Sequence, residues 1–206
     1  VVRRRRAVLL AIEGIDGAGK STHVAALARR LRARGFRVAV RRLYRHGVFH
    51  ETACDVLRLA LRRRSKRLLR VERLARVLDT VGVWFREVEP ALGRHDFVIL
   101  DRSLETHAAA ALGRGIPASF VRSWLRSFPQ ADATVLLDLP ARDALARIRA
   151  RRRPRGPDEK AEILLRWRKH FLARARARWW TVLDARADSF ANREAIARLA
   201  LQFAAS

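Results

Sequence analysis

The stretch Ile12-Glu13-Gly14-Ile15-Asp16-Gly17-Ala18-Gly19-Lys20-Ser21-Thr22 decides the fold. Glycines at 14 and 19, with a lysine and a hydroxyl directly after the second, have the spacing of a phosphate-binding loop. The flanks agree with that reading. Val8–Ile12 is a short apolar run, and Lys20 to about Arg34 carries Val24, Leu27, Ala28 and Leu31 at helical spacing before stopping at Gly35. A strand that enters the loop and a helix that leaves it aim successive backbone N–H groups, and the positive end of the helix, at one anionic ligand. Gly14, Ile15, Asp16, Gly17, Ala18, Gly19, Lys20, Ser21 and Thr22 are therefore the expected nucleotide-binding residues. Lys20 is expected to neutralise β- and γ-phosphate oxygens, and the Ser21 hydroxyl to hold Mg²⁺.

Outward from the loop, short apolar runs alternate with longer stretches of helical period, the pattern of a parallel sheet with helices on both faces. The strand expectations are Val8–Ile12, Arg37–Leu43, Phe97–Asp101, Ala133–Leu139 and Thr181–Asp184. A long helical region is expected from Val56 to about Leu92. Another helix should begin after Pro140, and Arg151-Arg-Arg-Pro-Arg-Gly-Pro157 breaks it. Asp158 is expected to cap the following helix, which should reach about Trp180, and a last helix covers roughly Ala191 to Ala204. The chain reads as one domain over residues 1–206, with residues 149–157 forming an arginine-rich lid. A solvated basic loop is the plainer alternative for that lid.

The chain of 206 residues carries a formal net charge of +25, and only four of its 45 basic residues are lysine. Such charge fits either nucleic-acid binding or the handling of several phosphates. Its single cysteine, Cys54, has no internal partner, which favours a reducing compartment and a cytoplasmic location. The run Arg3–Arg6 ahead of an apolar stretch resembles an export signal, but the apolar run ends at Glu13 and leads directly into the glycine loop, so a buried strand is expected. No stretch approaches the roughly 20 apolar residues of a membrane span. His46 and His50 lie four apart without a third ligand at a telling spacing, and no metal is assigned to them. The tryptophans 84, 124, 167, 179 and 180 are expected mainly in the core, with arginine stems over their rings.

The third strand expectation ends in Asp101-Arg102, at the carboxyl edge where α/β sheets place ligands. There Asp101 can hold a Mg²⁺-bound water and Arg102 can grip an acceptor phosphate; a structural ion pair is the plainer alternative. Taken in order, Gly14 to Thr22, Asp101-Arg102, and Ala131-Asp-Ala-Thr-Val-Leu-Leu-Asp-Leu-Pro140 ahead of the arginine-rich lid resemble the thymidylate kinase family across nearly the whole chain. The resemblance implies a three-layer α/β sandwich of the P-loop NTPase type with a five-stranded parallel sheet. It also implies ATP and Mg²⁺ as cosubstrates and transfer of a phosphoryl group to a nucleoside monophosphate, dTMP as the best single acceptor.

By the same resemblance Arg42 and Arg102 bind the acceptor, Ser21 and Asp101 serve the metal, and Asp16, Lys20 and Arg102 are catalytic. Members of the family supply a catalytic arginine from the loop or from the lid. Here the loop position is Gly17, which leaves Arg151, Arg153 and Arg155 as the lid candidates. The base-reading positions depart from the family pattern: a stacking aromatic falls at Arg76, an arginine at Thr80, a tyrosine at Ser103 and a glutamine at Ala111. A phosphate-bearing acceptor with weak preference for thymine is therefore expected. The alternatives are a kinase of another small acceptor, or a nucleic-acid-binding ATPase. A small-molecule nucleotide is the expected partner, ahead of nucleic acid. No membrane is expected, and a homodimer is compatible with the sequence.

Overall fold

A computed structural model describes residues 6–44, 78–113, 128–151 and 159–205, together with residues 75, 119, 123 and 126. The five strands are β1 (Val8–Glu13), β2 (Val38–Arg41), β3 (Phe97–Asp101), β4 (Ala133–Asp138) and β5 (Thr181–Asp184). They form one sheet in the order β2-β3-β1-β4-β5, parallel throughout. Leu9 opposite Val98 and Ile12 opposite Val135 fix the register of the central strand. β3 is apolar without alternation because both of its faces are covered, and every one of its residues is buried; the edge strand β5 alternates between half-buried and exposed. One layer of core gathers Leu10, Ile12, Leu27, Leu31 and Phe171; the other gathers Leu9, Ala11, Val98, Leu100 and Trp84.

The helix α1 (Lys20–Ala33) follows the glycine loop, and Gly35 takes the left-handed conformation (φ +85°) that ends it. β2 is shorter than the expected Arg37–Leu43 because pairing with β3 lasts only from Val38 to Arg41. Of the expected helix from Val56, residues 56–74 lie outside the described residues. Its last part contains a π-helical turn, Trp84–Val88, in which the Glu89 N–H reaches the Trp84 carbonyl five residues back. Pro90, in the first turn of α2 (Glu89–Arg94), has no N–H to offer to the preceding turn, which accounts for the widening.

A helix absent from the expectations, α3 (Glu105–Gly113), follows β3. Its sequence gives little amphipathic contrast because Ala108, Ala109, Ala110 and Ala111 are all buried. α4 (Ala141–Ala150) begins after Pro140 as expected. The next helix, α5 (Ala161–Arg178), follows Lys160, which has the extended backbone of a cap position but makes no side-chain cap bond; Asp158, the expected cap, lies outside the described residues. α5 is tied to β4 by two bonds from Arg168 to Asp138, at 2.7 and 2.8 Å, and to α3 by Arg174 and His170 on Glu105, at 2.6 and 3.2 Å. α6 starts at Ser189, two residues before the expected start, and ends at Ala205.

The tryptophans divide. Trp84 and Trp167 are core, Trp180 is half-buried, and Trp179 is 94% exposed where it ends α5 in a left-handed turn. Trp179 corrects the expectation of a core role. Trp124, His46 and His50 lie outside the described residues. Among the described residues no helix is long and apolar enough to cross a membrane, and no cluster of three His, Cys, Asp or Glu side chains could hold a metal.

Candidate functional site

β1 and β4 are neighbours whose onward connections leave to opposite sides of the sheet, so a crevice opens at their carboxyl ends. The loop from Gly14 to Gly19 fills that point. Gly14 has φ +145°, and a Cβ there would stand 2.6 Å from the Leu137 carbonyl oxygen of β4. Gly17 has φ +90°, and a Cβ would stand 2.8 Å from the Ala144 carbonyl oxygen of α4. Glycine is thus required at both positions by close backbone approach as well as by conformation. At Gly17 the same approach leaves no room for a side chain such as arginine.

A cleft of about 360 Å³ opens over the loop, lined among others by Asp16, Lys20, Ser21, Arg42, Asp101 and Arg102. Tyr44 and Arg151 also face it. A larger cavity of about 450 Å³ lies among Trp84, Arg174, Trp180 and Phe203, and none of the loop residues reaches it. The smaller cleft, where cations, carboxylates and loop amides converge, is the candidate site.

Lys20 is buried and its ammonium donates to the Ile15 carbonyl at 2.7 Å. Burial, reinforced by the nearby Arg102 guanidinium, lowers its pKa from 10.5 to about 7. Ser21 Oγ donates to Asp101 Oδ2 at 2.8 Å. Arg42 bonds both: its Nη2 lies 2.5 Å from Asp101 Oδ2 and 3.1 Å from Ser21 Oγ. Burial works against ionisation of Asp101, but the bonds from Arg42 and Ser21 outweigh it and hold the carboxyl below its ordinary value. The two oxygens are hard donors that already accommodate a cation, so they fit Mg²⁺.

Arg102 stands just past β3 in the left-handed conformation, φ +76°. Its N–H bonds the Ile12 carbonyl at 3.2 Å, its Nη2 pairs with Asp16, and its guanidinium lies 5.7 Å from the ring centres of both Tyr44 and Trp167. The plainer alternative is met in part, because Asp101 and Arg102 are each in an ion pair, though with Arg42 and Asp16 and not with one another.

The sequence expectations thus converge: the loop, Arg42, Asp101, Arg102 and Arg151 share one cleft. Arg153 and Arg155 lie outside the described residues, as does Arg76. The other departures from the family pattern are engaged elsewhere. Thr80 Oγ1 is buried 2.7 Å from His107 Nε2, Ser103 bonds Glu13, and Ala111 packs in the core. Sequence reading missed Glu13, Tyr44 and His107. For Glu13 the signal was a charge at the end of an otherwise apolar strand. Arg147 was also missed; it donates to the Ala185 carbonyl at 2.9 Å beside the loop.

A family model described as "Thymidylate kinase" matches residues 12–196. A protein named thymidylate kinase from Methylobacillus flagellatus is 32% identical, over 84% of this chain and 85% of its own. One of the same name from Bordetella petrii is 36% identical, over 84% and 83%. A probable thymidylate kinase from Archaeoglobus fulgidus is 34% identical, over 82% of each.

Proposed function

The chain belongs to the thymidylate kinase family, and from that premise we propose that it is a nucleoside monophosphate kinase that converts dTMP and ATP to dTDP and ADP. The observation that carries the reading is the convergence of Lys20, Ser21, Arg42, Asp101 and Arg102 on one cleft above the glycine loop. A phosphate oxygen of the acceptor attacks the γ-phosphorus of ATP, a new P–O bond forms, and the bond to the ADP oxygen breaks. No general base is needed, because the attacking oxygen is already anionic near pH 7.

Catalysis is then a matter of position and charge. The loop amides and Lys20 hold the β- and γ-phosphates of ATP. Mg²⁺, which Ser21 and Asp101 would hold, supplies charge neutralisation on the phosphates when bound. Arg102 grips the acceptor phosphate through its planar fork, oriented by Asp16 and by the Tyr44 and Trp167 rings. Arg42 is the second acceptor cation, within reach of the same cleft. Arg151, at the end of α4, is the described member of the lid that would bring a guanidinium to the transferring group. The lone cysteine accords with a reducing compartment, and we place the enzyme in the cytoplasm.

Incubation with ATP, Mg²⁺ and a panel of monophosphates (dTMP, dUMP, dCMP, dGMP, AMP), followed by product analysis, tests the reading. Diphosphate should form without nucleic acid. Thr80 stands where an arginine would read the base, and its hydroxyl is taken up by His107, so dTMP should be favoured over the next best base by less than about 10²-fold, against the roughly 10⁴-fold of a dedicated hydrogen-bonding site. No diphosphate from any acceptor would remove the assignment.

A further inference from the structure

Glu13 is the last residue of β1 and is 0% exposed, although it is a carboxylate. A buried carboxylate is retained only where its oxygens are bonded. Its Oε1 accepts from the Ser103 backbone N–H at 2.7 Å and from Ser103 Oγ at 2.6 Å, and its Oε2 accepts from Thr106 Oγ1 at 2.8 Å. The two Ser103 donors belong to the turn that leads from Arg102 into α3, and Thr106 lies in the first turn of that helix. The turn before α3 holds Arg102 at φ +76°, a left-handed conformation that a residue other than glycine keeps only where its surroundings over-determine it. The surroundings here are the Ile12 carbonyl before Arg102 and the Glu13 carboxylate after it, two successive residues of one strand.

We infer that Glu13 is a positioning residue for the acceptor: its carboxylate clamps the turn after Arg102 and so aims that guanidinium into the cleft. The chain of contact runs from Glu13 to Ser103, from Ser103 through the backbone to Arg102, and from Arg102 to Asp16 and the Tyr44 and Trp167 rings. The inference rests on the proposed role of Arg102 as the grip on the acceptor phosphate. Glu13 is not among the residues that line the cleft. Because Glu13 also precedes Gly14, a merely structural role would disturb the loop and the turn alike, and ATP would suffer as much as the acceptor.

The test compares wild type with Glu13→Ala, Glu13→Gln, and the softer pair Ser103→Ala/Thr106→Val, which removes both hydroxyl donors and leaves the strand intact. Binding of dTMP and of ATP is measured separately by calorimetry, and KM for each by steady-state assay. Misplacement of a positioned group by about 1 Å is worth roughly 10²-fold. Glu13→Ala should therefore weaken dTMP binding about tenfold or more while ATP binding changes less than about twofold, and the hydroxyl pair should give a smaller change of the same kind. Glu13→Gln should recover most of the loss, since its carbonyl can still accept from Ser103 and its amide can donate to Thr106 Oγ1. If Glu13→Ala fails to fold, the hydroxyl pair decides. Unchanged dTMP affinity in the folded variants, or equal losses for both ligands, would overturn the inference. A wild type that binds dTMP and transfers no phosphoryl group would instead overturn the proposed function.

Discussion

Lys20 holds the clearest tension at the level of single residues. Its ammonium is desolvated beside Arg102 and donates to the neutral Ile15 carbonyl, so the protein without nucleotide disfavours the very charge that phosphate binding needs. The folded pKa near 7 lies below the ordinary 10.5. An unfolded chain therefore binds more protons between those values, and the destabilisation is complete below about pH 7 and fades as pH rises toward 10.5. Lys20→Met should gain stability relative to wild type, as read by thermal melting, more at pH 6 than at pH 10. Its kcat should fall about 10²-fold or more because an electrostatic contact to the transferring group is lost. In wild type at pH 8, ATP binding should be accompanied by proton uptake, since the phosphates restore the ammonium; calorimetry in buffers of different ionisation enthalpy measures it. A stability difference independent of pH would contradict the burial of a cation at this position.

The lid is the matter at the scale of elements. α4 ends at Ala150, and Arg151 still faces the cleft, while the adjacent loop has a wall of backbone at Gly17 where a side chain would otherwise enter. A catalytic guanidinium therefore has to come from outside the loop. Arg151→Ala, Arg153→Ala and Arg155→Ala should separate the candidates. The residue that meets the transition state should lower kcat by about 10³-fold with little change in ATP binding, because such a contact forms mainly as charge develops. Near-normal kcat in all three and in their triple combination would return the lid to the status of a solvated basic loop. α3 carries a related lesson. It is pinned to α5 through Glu105 with Arg174 and His170, so the turn after Arg102 is held at both ends, by Glu13 and by α5.

At the scale of the whole molecule, a net charge of +25 attracts any polyanion. Binding of that origin releases counterions, and for six to ten phosphate contacts it weakens about 10³- to 10⁵-fold between 50 and 200 mM salt. Duplex DNA should accordingly bind at low salt without sequence preference and be released at 200 mM, as measured by fluorescence anisotropy. ATP turnover should be stimulated by a monophosphate acceptor and not by DNA. Stimulation by DNA at 200 mM salt would favour the ATPase alternative over the kinase.

The sequence alone determined the features that depend on local order. The spacing Gly14 to Ser21 dictated a strand, a loop and a helix, because glycine conformation and helical period act over a few residues. Four further apolar runs marked β2 to β5, most clearly β3, which is buried along its whole length. Asp101-Arg102 was legible as a strand end. The tertiary structure decided what lies across long separations. It placed Arg42 on Asp101, 59 residues away, Glu13 on Ser103, 90 residues away, and Thr80 beside His107. It also decided where α3 lies: alanine favours a helix anywhere, but this run carries no periodic contrast to mark a buried face, and packing against α5 makes burial on every side favourable. Charge partners and the cost of burying them are set by which strands become neighbours, and that depends on the order β2-β3-β1-β4-β5, not on any one segment of the chain.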